Sequence, residues 1–270
     1  MLTSTFQHIP GIGEKSEQSF WLEGIHTWND FPGTLSVSAK KKTSITEHIN
    51  ISKKNLQDNP QYFCKLLPAH QHWRLFPQYR DSLVYLDIET TGLDDWSDHI
   101  TTIALYDGIT IRYYIHGDNL NEFPKDIAKY NVFVSYNGKC FDVPFLERYF
   151  NITLPQAHID LRFILKKLGY SGGLKSCEKQ LGLDRGDLDD VDGFIAVLLW
   201  REYKNTGNQK ALDTLLAYNI MDVVNLETLM ISAYNLHLQD TPFHASPLEQ
   251  PTSNPKIPFA VDKKLINQLR

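Results

Sequence analysis

Short apolar runs between residues 81 and 136 have the length and composition of β-strands. The Asp107-Gly108 dipeptide is typical of a tight hairpin turn, so the runs on either side of it should pair antiparallel. We therefore expect a sheet that contains a β-hairpin. The predicted strands are Leu83–Glu89, Ile100–Tyr106, Thr110–His116 and Val132–Tyr136.

Helical periodicity replaces the strand pattern after residue 140. The last predicted helix is the longest, and its apolar positions form a stripe typical of a helix packed on a sheet. Short strands followed by packed helices predict an α/β fold, with a mixed central sheet flanked by helices. The stripe consists of Leu212, Leu216, Ile220 and Val223. The predicted helices are Phe141–Tyr149, Leu161–Leu168, Leu174–Leu181, Phe194–Lys204 and Gln209–Leu236.

Three regions follow from this pattern. Residues 1–80 form a mostly helical N-terminal extension, with one helix expected around Ile45–Leu66. Residues 81–240 form the α/β domain. Residues 241–270 form a proline-rich tail that we expect to be extended and partly disordered, with IPFAVDKKLINQL docking at its end.

Composition narrows the class of protein. With 42% hydrophobic and 12% aromatic residues the chain can bury a core, which excludes a disordered protein. The three cysteines include no CxxC pair and argue against a disulfide framework. The N-terminus has no signal-peptide pattern, and the apolar run Phe194–Trp200 is too short to span a membrane. We expect a cytoplasmic protein with no membrane partner.

The charge is unevenly distributed along the chain. The net charge is −5, yet residues 81–240 hold 24 Asp and Glu residues against 14 Lys and Arg residues. Such an acidic region suits a site that collects divalent cations. The flanking regions are weakly basic, which either favours contact with phosphate or is ordinary surface variation.

Acidic residues in three separated segments form the candidate site. Asp87 and Glu89 are two apart on a strand, so both project to the same side of the sheet. Like charges on an apolar strand are hard to bury unless cations neutralise them, and a divalent metal does this most simply. Tyr218 and Asp222 are four apart on a helix and share a face. Asp142 falls in a first helical turn, where it could also serve only the helix dipole.

The segments DIETTGL (Asp87–Leu93), YNGKCFD (Tyr136–Asp142) and YNIMD (Tyr218–Asp222) occur in this order. As a set they resemble the tyrosine-containing DEDD (DEDDy) exonucleases of the ribonuclease H-like superfamily, in particular the YprB-type predicted exonucleases. The resemblance covers residues 81–237. It implies a ribonuclease H-like sheet with a catalytic strand, two bound Mg²⁺ or Mn²⁺ ions, and 3′→5′ removal of nucleotides.

Roles for the matching residues follow from that resemblance and from their chemistry. Asp87 would bridge both ions, Glu89 and Asp222 would complete the site of the ion that activates water, and Asp142 would hold the second ion. Oxygen ligands alone fit Mg²⁺ or Mn²⁺ rather than zinc. Tyr218 would orient the water, because a phenol with a pKa near 10 is a weak base. The alternative for Tyr218 is an amphipathic aromatic residue on a helix surface.

Other candidates carry weaker signals. Asp160 precedes a helix and is better explained as its N-cap than as a metal ligand. Lys175 begins a helix and could approach a phosphate, although a solvated lysine is the simpler interpretation. The spacing of Cys64, His70 and His72 matches no zinc pattern.

The segment His8–Ile25 resembles one helix-hairpin-helix unit, whose Gly11-Ile12-Gly13 turn would direct backbone N–H groups toward a DNA phosphate. Too few residues precede it for a full first helix, and one copy is present, so a plain glycine turn is the alternative. Lys40, Lys41 and Lys42 either contact nucleic acid or form a solvated loop.

The leading hypothesis is a metal-dependent 3′-5′ exonuclease acting on single-stranded DNA or RNA, with DNA slightly preferred. The four carboxylates and the tyrosine are all present, which favours an enzyme over a catalytically silent nucleic-acid-binding module of the same fold. An accessory exonuclease that acts only with a helicase or polymerase partner is a further alternative.

Overall fold

A five-stranded mixed sheet forms the centre of the molecule. The computed structural model describes residues 1–33, 37–93, 97–188, 191–253 and 255–270. In the order β3-β2-β1-β4-β5, the first three strands pair antiparallel, and β1, β4 and β5 run parallel. The predicted α/β fold and the hairpin are both confirmed. The strands are β1 Leu83–Thr90, β2 Ile100–Tyr106, β3 Ile111–Ile115, β4 Val132–Ser135 and β5 Ala157–Asp160.

After residue 140, the helices begin and end close to their predicted bounds. In chain order, the helices of the described residues are α1 Glu14–Leu22, α2 Ala39–Asn55, α3 Pro60–Leu66, α4 Phe76–Tyr79, α5 Phe123–Ile127, α6 Asp142–Phe150, α7 Leu161–Lys167, α8 Leu174–Gln180, α9 Gly193–Thr206, α10 Gln209–Gln239 and α11 Lys263–Leu269. Short 3₁₀-helices are Leu2–Ser4, Ala69–Leu75, Arg80–Ser82, Leu120–Glu122 and Gly186–Leu188.

One sequence-based prediction was wrong in detail, and one strand was missed. The single helix expected around Ile45–Leu66 is two helices, α2 and α3, because Pro60 lacks an N–H group and cannot continue a helix. Asn59 caps the new helix by accepting a hydrogen bond from the Tyr62 N–H at 3.2 Å. Strand β5 was not predicted, since its four residues lead directly into α7 and offer too short a pattern.

The two faces of the sheet bury different helices. On one face Val84, Leu86 and Ile88 pack with residues of α5 and α6. On the other face Leu83 and Tyr85 pack with residues of α10. Because side chains alternate along a strand, Asp87 and Glu89 lie on the α10 face, as the sequence predicted for their common side.

Helix α10 is buried along most of its 31 residues. Its predicted apolar stripe divides between two clusters. Leu212 and Leu216 pack with α9 and α11, whereas Ile220 and Val223 pack with the sheet. The C-terminal tail docks here as expected, because Leu265 of α11 joins the cluster formed by α9 and α10.

The N-terminal extension packs into the same apolar cluster as the sheet, through residues such as Phe6, Phe63 and Trp73. The division of the chain into regions at residues 80 and 240 stays a prediction. No helix in the described parts of the chain combines the length and the apolar character that crossing a membrane requires.

A buried ion pair joins three segments of the N-terminal extension. Arg74 Nη2 lies 2.8 Å from Glu17 Oε2, and the two side chains are 4% and 1% exposed. Glu17 Oε1 also accepts the Phe6 N–H at 2.6 Å, and Arg74 Nε donates to Gln71 Oε1 at 2.7 Å. One pair of charges therefore holds together the start of the chain, α1 and the 3₁₀-helix Ala69–Leu75.

Replacing Arg74 by methionine should lower the free energy of unfolding by about 3–5 kcal/mol, because it leaves the Glu17 carboxylate buried without a counter-charge. Urea denaturation followed by circular dichroism measures the loss. Adding Glu17→Gln to the variant should recover part of it. Lys129→Met, which removes an exposed pair with Asp126, should cost under about 1 kcal/mol. Equal losses for both methionine variants would contradict the prediction.

Candidate metal centre

Three carboxylates meet between the end of β1 and the middle of α10. Asp87 and Glu89 come from β1, and Asp222 comes from α10. Each offers one oxygen, and these oxygens all lie within 4.8 Å of one another. The pairing of β1 with β2 shifts register between Glu89 and Thr90, so the carboxylates sit where the regular ladder ends.

Asp142 and Tyr218 border this group. Asp142 is the first residue of α6 and is buried. It lies outside the three-residue group, yet its charge raises the pKa of both Asp87 and Glu89. Tyr218 is buried one helical turn before Asp222. The structure thus brings all five predicted residues to one place, while their catalytic roles stay predictions.

Burial and mutual repulsion hold Asp87 and Glu89 toward their neutral forms. Burial raises the pKa of Asp87 well above its usual range, and the charges of Asp222, Asp142 and Glu89 raise it further. Burial likewise raises the pKa of Glu89, with further contributions from Asp222 and Asp142. Without added positive charge, these groups cannot all be ionised at neutral pH.

Asp142 and Asp222 are also shifted, by smaller amounts. Burial raises the pKa of Asp142 to about 7, although the backbone N–H groups of Asp142 and Ile88 favour its charged form. Burial raises the pKa of Asp222 to about 6, and the nearby Arg185 guanidinium opposes that rise. Four oxygen donors that repel one another when ionised fit a site for hard divalent cations.

Burial also raises the pKa of Tyr218 above its ordinary value, and the charges of Asp222, Glu89 and Asp87 add to the effect. Its phenol therefore stays protonated at neutral pH and can donate a hydrogen bond.

Asn219 is a site residue that the sequence did not indicate. Its Nδ2 donates to Asp87 Oδ2 at 2.7 Å, and the asparagine is fully buried. This bond links α10 directly to β1 and opposes the rise in the pKa of Asp87. A polar residue within the apolar centre of a predicted helix was the available signal.

Arg185 was missed as well, because it lies in an irregular segment after α8 with no periodic pattern. Its Nη1 lies 2.6 Å from Asp222 Oδ1, forming an ion pair rather than an aligned hydrogen bond. Its Nε donates to Glu178 Oε2. The guanidinium carbon lies 5.8 Å from the centre of the Tyr218 ring.

Lys175 and Asp160 occupy the surroundings of the centre. Lys175 is half-buried, with its Nζ 5.6 Å from the centre of the Tyr218 ring, so it is not a fully solvated lysine. Asp160 caps α7 by accepting the Arg162 N–H at 3.0 Å, as predicted. It also accepts the N–H groups of Asn137 and Lys139, which fixes the turn that leads to Asp142.

The other sequence candidates lie elsewhere. His72 bonds to backbone carbonyls of Cys64 and Leu67, as expected of a structural histidine. In the His8–Ile25 segment, α1 is preceded by the 3₁₀-turn Leu2–Ser4 instead of a full helix. His8 is buried and bonds to Ser52 Oγ at 2.8 Å. DNA contact by this segment stays a prediction.

Comparison with known proteins gives a family match over more than half of the chain. The sequence profile of the RNase H superfamily matches residues 84–234. The uncharacterized protein YprB of Bacillus subtilis (strain 168) is 28% identical over 178 residues. That match covers 56% of this chain and 42% of the relative, so the chain spans less than half of the relative's length.

Solved structures show more distant similarity. The family B DNA polymerase of Pyrobaculum calidifontis has a TM-score of 0.43 and 16% identity, covering 58% of this chain and 24% of the polymerase. NrnC of Brucella melitensis bound to pGG has a TM-score of 0.42 and 21% identity, covering 63% of this chain and 79% of NrnC.

The metal-free protein should lose stability as pH rises from about 4 to about 7. Asp142 and Asp222 have pKa values of about 7 and about 6 in the folded chain against a usual 3.8, so the folded state binds more protons across this window. The free energy of unfolding therefore falls with rising pH, by at most about 1.4 kcal/mol per pH unit for each group.

Urea unfolding in EDTA at a series of pH values measures this slope. Asp142→Asn and Asp222→Asn should each flatten it, whereas Asp213→Asn, on the same helix as Asp222 but away from the centre, should leave it unchanged. A slope identical in wild type and in both site variants would refute the assignment.

Proposed function

The chain belongs to the RNase H superfamily, and we propose that it is a metal-dependent 3′-5′ exonuclease that hydrolyses phosphodiester bonds of single-stranded nucleic acid. One observation carries this proposal. Asp87, Glu89 and Asp222 each offer a carboxylate oxygen, these oxygens lie within 4.8 Å of one another, and Asp142 and Tyr218 lie beside them. Superfamily membership alone would not assign an activity.

Asp87, Glu89, Asp142 and Asp222 would hold two Mg²⁺ or Mn²⁺ ions. Such ions, when bound, stabilise the attacking and leaving oxygens of a phosphodiester and lower the pKa of the attacking water. The raised pKa values of these four carboxyl groups support the assignment, because cations would let them ionise together.

Tyr218 orients the attacking water in this proposal. Its pKa is raised by burial and by the neighbouring carboxylates, so at neutral pH its ionised, basic form is even less populated than that of a free tyrosine. A protonated phenol fixed in the wall of the site can still hold a water molecule by a hydrogen bond. Holding a nucleophile in line contributes to the rate without any proton transfer.

Two further side chains support this arrangement. Asn219 holds the Asp87 carboxylate in place through its 2.7 Å hydrogen bond to Oδ2. Lys175 brings a positive charge beside Tyr218, which suits an anionic substrate. The proposed slight preference for DNA over RNA has one basis. The His8–Ile25 segment resembles a helix-hairpin-helix unit, and its Gly11 and Gly13 are exposed.

Nuclease assays with labelled strands test the activity. Single-stranded DNA and RNA, each labelled at the 5′ or the 3′ end, would be incubated with Mn²⁺, Mg²⁺ or EDTA. We expect a ladder of 5′-labelled products shortened from the 3′ end, with metal and not with EDTA. Binding of Mn²⁺ without cleavage would favour a partner-dependent enzyme, and absence of both would leave a binding module.

Substitution of the site residues should separate their roles. Asp87→Ala and Asp222→Ala should each lower kcat by more than about 1,000-fold, because each removes a charge that holds the ions. Tyr218→Phe should lower kcat by about 100-fold while Mn²⁺ binding is kept, because positioning alone is lost. Asp213→Ala serves as the control on α10. Full activity of Asp87→Ala would refute the proposed site.

A further inference from the structure

A closed ring of buried polar side chains adjoins the metal centre and shares Asp222 with it. Asp222 contacts Arg185 at 2.6 Å, Arg185 Nε donates to Glu178 Oε2, and Asn225 Nδ2 donates to Glu178 Oε1 at 2.8 Å. Asp222 and Asn225 are three apart on α10, so the ring starts and ends on the same helix. It attaches the segment after α8 to the helix that carries the site.

All members of the ring are shielded from water. Glu178 is 1%, Arg185 3%, Asp222 4% and Asn225 4% exposed. A guanidinium in such a place is costly unless charged partners compensate it, and truncating one partner of a buried pair is strongly destabilising. The side chains of the ring are therefore held by one another and cannot reorient through solvent.

Within the ring, the charges of Arg185 and Glu178 balance each other before any cation is added. Glu178 carries one negative charge and Arg185 one positive charge, so the pair is formally neutral. This leaves Asp87, Glu89, Asp142 and Asp222 with one negative charge each when ionised, a total that two divalent cations would match. Because Glu178 offsets the charge of Arg185, the pair holds a guanidinium against Asp222 without changing the formal net charge around the centre.

Arg185 contacts one particular oxygen of Asp222. The ion pair engages Oδ1, and Asp222 also offers an oxygen to the group that it forms with Asp87 and Glu89. A planar guanidinium offers donors to two carboxylates in a fixed geometry, whereas the lysine ammonium is a point charge on a flexible stem. Replacing a residue that orients a metal ligand from behind commonly lowers metal affinity by about 10- to 100-fold.

We propose that Arg185, held by Glu178 and Asn225, is a positioning residue that orients the Asp222 carboxylate for metal binding. This inference rests on the proposed function only in placing a cation on Asp222. It does not depend on which nucleic acid is cleaved, or on whether this chain cleaves one alone.

The decisive variant replaces Arg185 and Glu178 together by glutamine. The double variant removes one buried positive charge and one buried negative charge together, so it keeps the formal net charge while it takes the guanidinium away from Asp222. Calorimetric titration with Mn²⁺, in the absence of nucleic acid, should show a dissociation constant raised by at least about tenfold. An electrostatic role alone predicts unchanged or tighter Mn²⁺ binding, because the variant removes the positive charge that contacts Asp222.

Three controls make the result specific. Arg185→Lys keeps the charge without the rigid fork and should also weaken Mn²⁺ binding. Arg201→Gln, on the exposed side of α9, should leave it unchanged. Near-ultraviolet circular dichroism would show that each variant is folded.

Each outcome has one meaning for the proposal. A folded double variant with wild-type Mn²⁺ affinity would overturn it and leave the ring a structural support. Failure of the wild-type protein to bind Mn²⁺ would overturn it together with the metal centre. Weakened Mn²⁺ binding would support it even if the wild-type protein cleaves no nucleic acid, an outcome that would count against the proposed function alone.

Discussion

The repulsion among four carboxyl groups gathered beside one strand is the constraint on which this structure depends. Asp87 and Glu89 face α10, which brings Asp222 against them, while α6 brings Asp142. Burial and proximity together raise the pKa of every one of these groups. The surrounding polar groups are arranged accordingly. Asn219 donates to Asp87, and Arg185 neutralises part of the charge on Asp222.

Features that follow from the regular repeat of side-chain directions along a strand or a helix were predictable from the sequence. Alternation along β1 placed Asp87 and Glu89 on one side of the sheet, and the four-residue spacing placed Tyr218 and Asp222 on one face of α10. The limits of β2 were predicted to the residue. These properties depend on local backbone geometry, which neighbouring residues largely determine.

Features made by distant segments were not predictable in this way. Arg185 lies in an irregular segment and reaches Asp222 only because Glu178 of α8 holds it. Nothing in the spacing around Arg185 marks that contact, since a loop has no period. Strand β5 was missed for a related reason: four residues acquire a strand conformation by pairing with β4 rather than through their own pattern. The split between α2 and α3, by contrast, had a signal in Pro60.

Helix α10 carries Tyr218, Asn219, Asp222 and Asn225 and also packs into both apolar clusters on its side of the sheet. The residues of the metal centre are thus interleaved with those that hold the molecule together. Amide hydrogens in the middle turns of this helix would exchange with solvent only when the whole domain opens. A helix in that position cannot move aside as a gate without opening the core of the domain.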